Sequence, residues 1–528
     1  METIKESLSK TGDTETVETV AKPAENGEEE TPEERGSNSQ GSWFYQAGDV
    51  VGFIGDSITH VEYSAINYVE FLYNYYLSRF PHQEVEFRNL GVSSYKASDI
   101  LDIYDRDPAF RGINKAVIML GMNEALKEVP TETYISNMEK LVERLKEDGL
   151  KGEDILVLSP TPYDQTCSAN FDANGNPYRM TDNALTDFTE QLALKTQEWG
   201  VRYVDLHTPM VELTLEIQKN GPDNTLTVWD CVHPNAMGQM AMAYYILKAQ
   251  GANATVGEMF IGADAVEAFL EADDRVTGIH GTISDFYRGE KGLCWNWKPE
   301  TLPMAMTFEF QEFYQLFDLV SELNQESLQV EGLEEGTSYT LAMDGEELGS
   351  FTGGELAQGI NLAVLETNPQ QVAMQLVEFQ NQSWHVNSAE YRKVVRFATM
   401  AEPTHTMDEM LEAYEEWKDE DIRLRNEMYD IVQGTIQKES HITITREGYS
   451  AEELELDAEL ALQKAKEMEA QKTREEISTK DQEQPIKENV QKSPVVGILL
   501  AIAGGALVLL AVIFIFIRRK DFADREDN

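Results

Sequence analysis

Cysteine is scarce in this chain. Its 528 residues include three, Cys167, Cys231 and Cys294, widely separated and without a Cys-x-x-Cys pair. That excludes a disulfide framework or a zinc site read from spacing, and leaves room for one bridge with a thiol left over. Basic residues are few as well: 43 Lys and Arg stand against 94 Asp and Glu, a formal net charge of −51. Nucleic acid is excluded as a partner, because binding phosphates needs a basic face. A self-repelling surface of this sign fits a secreted or cell-surface protein. Residues 1–42 hold few large apolar side chains and carry runs such as Glu28-Glu29-Glu30 and Glu33-Glu34. They cannot bury enough surface to offset chain entropy, so disorder is expected, and they contain no apolar core of a signal peptide.

Hydrophobic residues make up 41% of the chain, with 21 Phe, 21 Tyr and 7 Trp, ample for a large core. The length calls for two or three folded units. From Asp49, short β-branched runs (Val50–Ile54, Val85–Phe87, Ala116–Leu120, Ile155–Leu158, Val201–Val204) alternate with helical periods near 63–79, 131–148, 183–199 and 235–249. Buried strands alternating with helices predict a doubly wound, flavodoxin-like α/β domain with a parallel sheet, spanning 43–252.

Beyond residue 252 the alternation stops. Strand-like pieces Tyr339–Met343 and Gly349–Phe351 flank an Asp344-Gly345 turn, a helix is expected over 406–434, and Ile442–Thr445 reads as a last strand. The expectation is a mixed α+β module over 253–447 and a charged helical stalk and linker over 448–493. Pro494 to Ile517 carries no charge and is long enough to cross a bilayer core of about 30 Å, and Arg518-Arg519-Lys520 opens a short tail, 518–528. A single transmembrane helix is expected there. The basic cluster favours a cytoplasmic C-terminus and an external enzyme. Lys480, Lys487 and Lys492 weaken that asymmetry, and an external enzyme also needs a leader, so a tail-anchored protein facing inward stays open.

Four segments carry chemistry. The first strand ends in Gly55-Asp56-Ser57, and a strand end in such a fold is where a serine hydroxyl meets a crevice. Alone, this tripeptide reads more simply as a helix-capping turn. Phe87-Arg88-Asn89-Leu90-Gly91 closes the second strand, and a glycine lets its N–H approach a ligand. Gly121-Met122-Asn123-Glu124 follows the third strand and can aim an amide into the same crevice. Trp229-Asp230-Cys231-Val232-His233-Pro234 precedes a helix whose first turn suits Pro234. The Asp-x-x-His spacing lets Asp230 hold one ring nitrogen of His233 while the other faces Ser57. His207, in Asp205-Leu206-His207, is the main rival, and His60 is a candidate to line the cleft. The Ser159–Thr166 segment is expected to shape a pocket. Asp172, Asn174 and Asn176 faintly suggest a calcium loop, but Pro177 stands where glycine is needed and no Glu occupies position 183, so a turn is expected.

In order, strand-end placement and spacing these blocks resemble the SGNH (GDSL-like) hydrolases over about residues 48–250. The resemblance implies Ser57 as nucleophile, His233 as general base, Asp230 as its orienter, and an oxyanion hole of the Ser57 N–H, the Gly91 N–H and the Asn123 side chain. No metal or cofactor enters this expectation. The family usually has Asp after the block-three Asn; this chain has Glu124. The run from Ser321-Glu322-Leu323-Asn324 through Gly359-Ile360-Asn361-Leu362-Ala363 is similar to a C-terminal extension found in one bacterial subset of these hydrolases. The expected function is a serine esterase acting on O-acetyl esters of a polysaccharide or small molecule at the cell surface. The alternatives are a glycan O-acetyltransferase, or an inactive, membrane-tethered glycan-binding or adhesion protein on the same fold.

Overall fold

In the computed structural model, the structure describes residues 43–61, 67–179, 181–221, 223–265, 268–269, 275–306 and 319–482. The expected disordered N-terminus and the 494–517 apolar run lie outside them. Among the described residues, no helix is long and apolar enough to cross a membrane. The chain forms two compact units, Met1–Leu456 and Asp457–Asn528; in the second, the described part continues the helix Ala451–Gln482.

Five parallel strands form the first sheet: β1 (Val50–Gly55), β2 (Glu86–Asn89), β3 (Lys115–Met119), β4 (Ile155–Leu158) and β5 (Arg202–Val204), in the order β2-β1-β3-β4-β5. The order reverses at β1, and ligands of such sheets sit in the crevice beyond the strand ends at that reversal. Ser57 lies at the end of β1. All four residues of β4 are buried, the mark of a strand covered on both faces. Helices α1 (Ser57–His60), α2 (Tyr68–Arg79), α3 (Ala97–Ile103), α4 (Met122–Leu126), α5 (Thr131–Glu147), α6 (Asp182–Trp199), α7 (His207–Gln218) and α8 (Ala236–Gln250) provide that cover. In α5 the buried stripe Tyr134, Ile135, Met138, Leu141, Val142 and Leu145 has helical spacing.

Helix α2 is different, being buried on every side. Its outer face is covered by two long helices that come much later in the chain, α9 (Pro369–Thr399) and α10 (Met407–Gln437). Trp384 of α9 packs on Tyr73 with ring centroids 5.4 Å apart. Asn381 Nδ2 donates to Glu70 O at 2.9 Å and to Asn74 Oδ1 at 2.8 Å. The core therefore does not divide at residue 252: buried residues of α9 and α10, from Met374 to Ile436, belong to the same cluster as the five-stranded sheet.

The rest of the module is β-rich. A six-stranded sheet runs Glu346–Thr352, Ser338–Met343, Ser440–Arg446, Gly292–Pro299, Gly281–Gly289, Ala268–Phe269, and a four-stranded one Ile360–Asn361, Gln325–Val330, Thr255–Ile261, Val276–Ile279. Their shared core includes Trp295, Trp297, Phe286 and Ile444. The Asp344-Gly345 turn joins two paired strands with both residues at positive φ, 55° and 86°, as a two-residue hairpin requires.

Trp384 tests how far the long helices support the hydrolase sheet. It is fully buried, and its Nε1 donates to the buried Asp421 carboxylate at 2.7 Å. Trp384→Ala is expected to cost about 3–5 kcal/mol, read as a lowered urea midpoint of the transition that reports on the five-stranded sheet. An unchanged midpoint would show the sheet to be independent of α9.

Candidate active site

The backbone turns sharply where β1 passes into α1. Asp56 caps α1 by accepting the Ile58 N–H at 2.9 Å, and Ser57 is its first residue. A Cβ at Gly55 would stand 2.1 Å from Thr59 Oγ1, so only glycine lets strand and helix come this close.

The second component is the turn before α8. Val228 N–H donates to His233 O at 2.8 Å, and Thr227 and Pro234 form an isolated bridge. At its tip Cys231 is left-handed, with φ 63°. Helix α8 is capped by Asn235, which accepts the Gly238 N–H at 3.0 Å, so Pro234 precedes the helix and does not lie in its first turn. Asp230 Oδ1 accepts the Val232 and His233 amides at 2.9 and 3.0 Å. Its Oδ2 lies 2.5 Å from His233 Nδ1, and His233 Nε2 lies 2.8 Å from Ser57 Oγ. Burial works to raise the Asp230 carboxyl, but the hydrogen bonds from the His233 ring and the two amides outweigh it and hold it below the usual carboxylate range. An ionised carboxylate only accepts, so Nδ1 carries the proton and the Nε2 lone pair faces the serine hydroxyl. That arrangement can withdraw the serine proton and stabilise the imidazolium that results.

Asn123, on α4 after β3, is brought to the same place. Its Nδ2 donates to Asp56 Oδ2 at 3.2 Å and to Tyr95 O at 3.1 Å.

Residues 53–241 match the GDSL-like Lipase/Acylhydrolase family. They are a GDSL-like lipase/acylhydrolase domain, and the protein is a serine ester hydrolase of that type. No curated protein matches the chain. Among solved structures, a gut microbial diltiazem-metabolizing enzyme is similar at 23% identity and a TM-score of 0.66, over 77% of this chain and 99% of its own. That likeness is one of fold. An acetylxylan esterase from Geobacillus stearothermophilus aligns at 20% identity and a TM-score of 0.32, over 39% of this chain and 95% of its own. An α/β hydrolase from the metagenome of Lake Arreo, Spain, aligns at 20% identity and a TM-score of 0.32, over 39% of this chain and 97% of its own.

One expected member of the esterase site is elsewhere employed. The Gly91 N–H donates to Asn89 Oδ1 at 3.0 Å and so is not aimed at Ser57. Glycine is needed there for packing: a Cβ would stand 2.4 Å from His60 N and 2.9 Å from Asp56 O. Three residues on, Ser94 takes the left-handed conformation, φ 70°, and among the described residues no partner accepts its N–H. The sequence reading missed Ser94 because a serine gives no sign of positive φ; the cue was the loop position, one residue before the Tyr95 carbonyl that Asn123 engages.

The other candidates fall away from the serine. His207 is buried, with Nε2 3.1 Å from Asp182 Oδ1. His60 does not line an open cleft: it is fully buried, between Ser93 Oγ at 2.7 Å and Ala389 O at 2.9 Å. The segment after β4 does wall a cavity of ≈ 100 Å³ with Tyr163, Asp164, Met210, Leu226 and Pro234, lined by neither Ser57 nor His233. Asp172 Oδ1 accepts the Asn174 and Asn176 amides at 2.8 Å, which makes that segment a turn. Among the described residues one group, Cys294, His441 and Glu455, brings potential metal-ligand atoms within 4.8 Å of one another, and there His441 already pairs with Glu455 Oε1 at 2.7 Å. It belongs to the β-rich part, not to the serine crevice.

Glu124 sits beneath the crevice. Its Oε1 accepts the Ala97 N–H at 2.8 Å, tying α4 to the start of α3, and burial pushes its carboxyl up to about 7. Burial likewise raises Asp56 to about 6, against the Ile58 N–H, His233 and Asn123. An acid whose folded pKa exceeds its unfolded value retains its proton in the fold while the unfolded chain releases it. Stability from these groups is thus complete at low pH and lost as pH rises from about 4 to about 7. The melting temperature is expected to fall between pH 5 and pH 8, and Glu124→Gln, which keeps an acceptor for Ala97, to reduce that fall. A melting temperature independent of pH in both proteins would refute it.

Proposed function

We propose that Ser57 is the nucleophile, His233 the general base and Asp230 the group that orients it. The observation that carries this reading is the continuous chain Asp230 Oδ2, His233 Nδ1, His233 Nε2, Ser57 Oγ at 2.5 and 2.8 Å. His233 takes the hydroxyl proton as Ser57 Oγ attacks the ester carbonyl. The Ser57 N–H, the Ser94 N–H and the Asn123 amide hold the oxyanion, the amide exchanging its present acceptors for the substrate oxygen. The imidazolium then gives its proton to the leaving alcohol. A water, deprotonated by His233, releases the acid from the acyl-enzyme.

The substrate class proposed is the O-acetyl ester of a carbohydrate. Trp229, one residue before Asp230, is 78% exposed, and Tyr178 is 68% exposed. A large aromatic face left in water next to Asp230, as Trp229 is, suits the apolar face of a sugar ring. Charge supports the same choice, since the acidic surface repels anionic esters and admits neutral ones. The proposed setting is the cell surface, with the uncharged run 494–517 and Arg518-Arg519-Lys520 as the anchor.

Two measurements test this. Ser57→Ala is expected to abolish hydrolysis of p-nitrophenyl acetate and labelling by a fluorophosphonate with its melting temperature unchanged; undiminished turnover would end the assignment. Trp229→Ala is expected to raise KM for acetylated xylo-oligosaccharides about tenfold, in line with a sugar–aromatic contact of roughly 1–1.5 kcal/mol, and to leave p-nitrophenyl acetate turnover near wild type. Equal effects on both esters would remove the carbohydrate reading. Acetyl appearing on added glycan in place of free acetate would assign acetyl transfer.

A further inference from the structure

We infer that Arg392, on the long helix α9, is a positioning residue of the esterase site. It sets the loop between β2 and α3 and, through that loop, the oxyanion side of the crevice. The inference rests on the proposed role of Ser57.

Four residues of α9 at helical spacing, 389, 392, 396 and 399, share one face, and each meets this loop or the nucleophile helix. Arg392 Nη2 donates to Leu90 O at 3.2 Å and its Nε to Gly91 O at 3.3 Å. Ala389 O accepts from His60 Nε2 at 2.9 Å, and His60 Nδ1 in turn accepts from Ser93 Oγ at 2.7 Å. Arg396 Nη2 lies 3.4 Å from Ser94 Oγ, and Thr399 Oγ1 lies 2.6 Å from Tyr95 Oη. On its other side the loop is pinned to β1, with Leu90 N–H on Phe53 O at 2.8 Å and Val92 N–H on Gly55 O at 3.0 Å. The segment that presents the Ser94 N–H, and the Tyr95 carbonyl to which Asn123 donates, is thus clamped between the nucleophile strand and α9.

The charge of Arg392 explains why a guanidinium does this. Its side chain is 1% exposed and Nη1 lies 2.5 Å from Oδ2 of Asp107, which is 0% exposed. Asp107 Oδ1 also accepts from Tyr391 Oη at 2.6 Å and from Ala109 N–H at 3.0 Å. A buried ion pair is a poor source of stability compared with apolar residues of the same size. Its advantage is direction: the planar fork, fixed by Asp107, points its remaining N–H groups at two successive carbonyls and fixes two peptide planes. Oxyanion donors need placement to within about half an ångström, and a displacement of about 1 Å costs roughly a hundredfold in rate.

The test uses the full chain, p-nitrophenyl acetate as substrate and the double variant Arg392→Met/Asp107→Asn, which removes both buried charges together. The expected result is a fall in kcat of about 10- to 100-fold with KM within about threefold. A boronic-acid transition-state analogue should lose affinity by the same factor as kcat/KM. Arg392→Lys keeps the charge opposite Asp107 but cannot span both carbonyls, and should stay nearer the double variant than the wild type. Thr399→Val, a mild change on the same helix face, should lower kcat about threefold or more with the melting temperature preserved, and decides the matter if the double variant does not fold. Wild-type kcat in a folded double variant, or in Thr399→Val where that variant must decide, overturns the inference. So does full rescue by Arg392→Lys. If Ser57→Ala is itself fully active, the assignment of Ser57 fails, and this inference fails with it.

Discussion

An imidazole can pass a proton only while it is held between two oxygens, and in this protein an eleven-residue turn holds the His233 ring between Asp230 and Ser57. From Thr225 to Asn235 the chain makes a largely buried turn, reverses at a left-handed Cys231 and returns to cap α8. Asn235 Nδ2 ties its base to Thr225 O at 2.8 Å, and Asp164 N–H reaches across to Cys231 O at 2.9 Å. Each of these bonds restricts the position of Asp230, and Asp230 restricts His233. The left-handed Cys231 is itself strained, a conformation that persists only where its surroundings over-determine it.

Several acids are buried in this fold. Asp56 and Glu124 near Ser57, and Glu326 and Glu378 elsewhere, are pushed up by burial to about 6, 7, 7 and 7. A chain with 94 acidic residues leaves most of them in water; these few are taken inside because each accepts a hydrogen bond from another part of the chain. Glu124 holds α3 to α4, and Glu326 accepts Asn368 Nδ2 at 3.1 Å at the cap of α9. The longer acid at position 124 is therefore a structural tie beneath Asn123, and the amide keeps its place beside Asp56.

Much of the hydrolase domain was legible without coordinates. The five strand runs were read to within two residues, and most surely at β1, β3 and β4, because a strand buried on both faces is a short apolar run. Helix α9 went unread for the converse reason. Its buried face contains Gln370, Gln371, Asn381, His385 and Arg392, which break the apolar stripe that announces an amphipathic helix. Those polar side chains are buried opposite partners hundreds of residues away, Glu70, Asn74 and Asp107 among them. Gly91 was misread in a similar way. A glycine at a strand end admits either a donor facing a ligand or a close packing contact, and only the position of Asn89 Oδ1 and His60 N separates the two.

Strand positions, the serine at the end of β1 and the Asp-x-x-His turn follow from local pattern: apolar period, chain length and the reach of one side chain to another three residues away. These are properties of short segments, and a sequence determines them by itself. Which N–H groups remain available at the crevice, and that a helix from the far half of the chain braces the loop bearing them, only the tertiary structure decided. Hydrogen-bond donors are satisfied by whichever acceptor the fold brings nearest, and that competition takes place between residues whose separation along the chain says nothing of their distance in space.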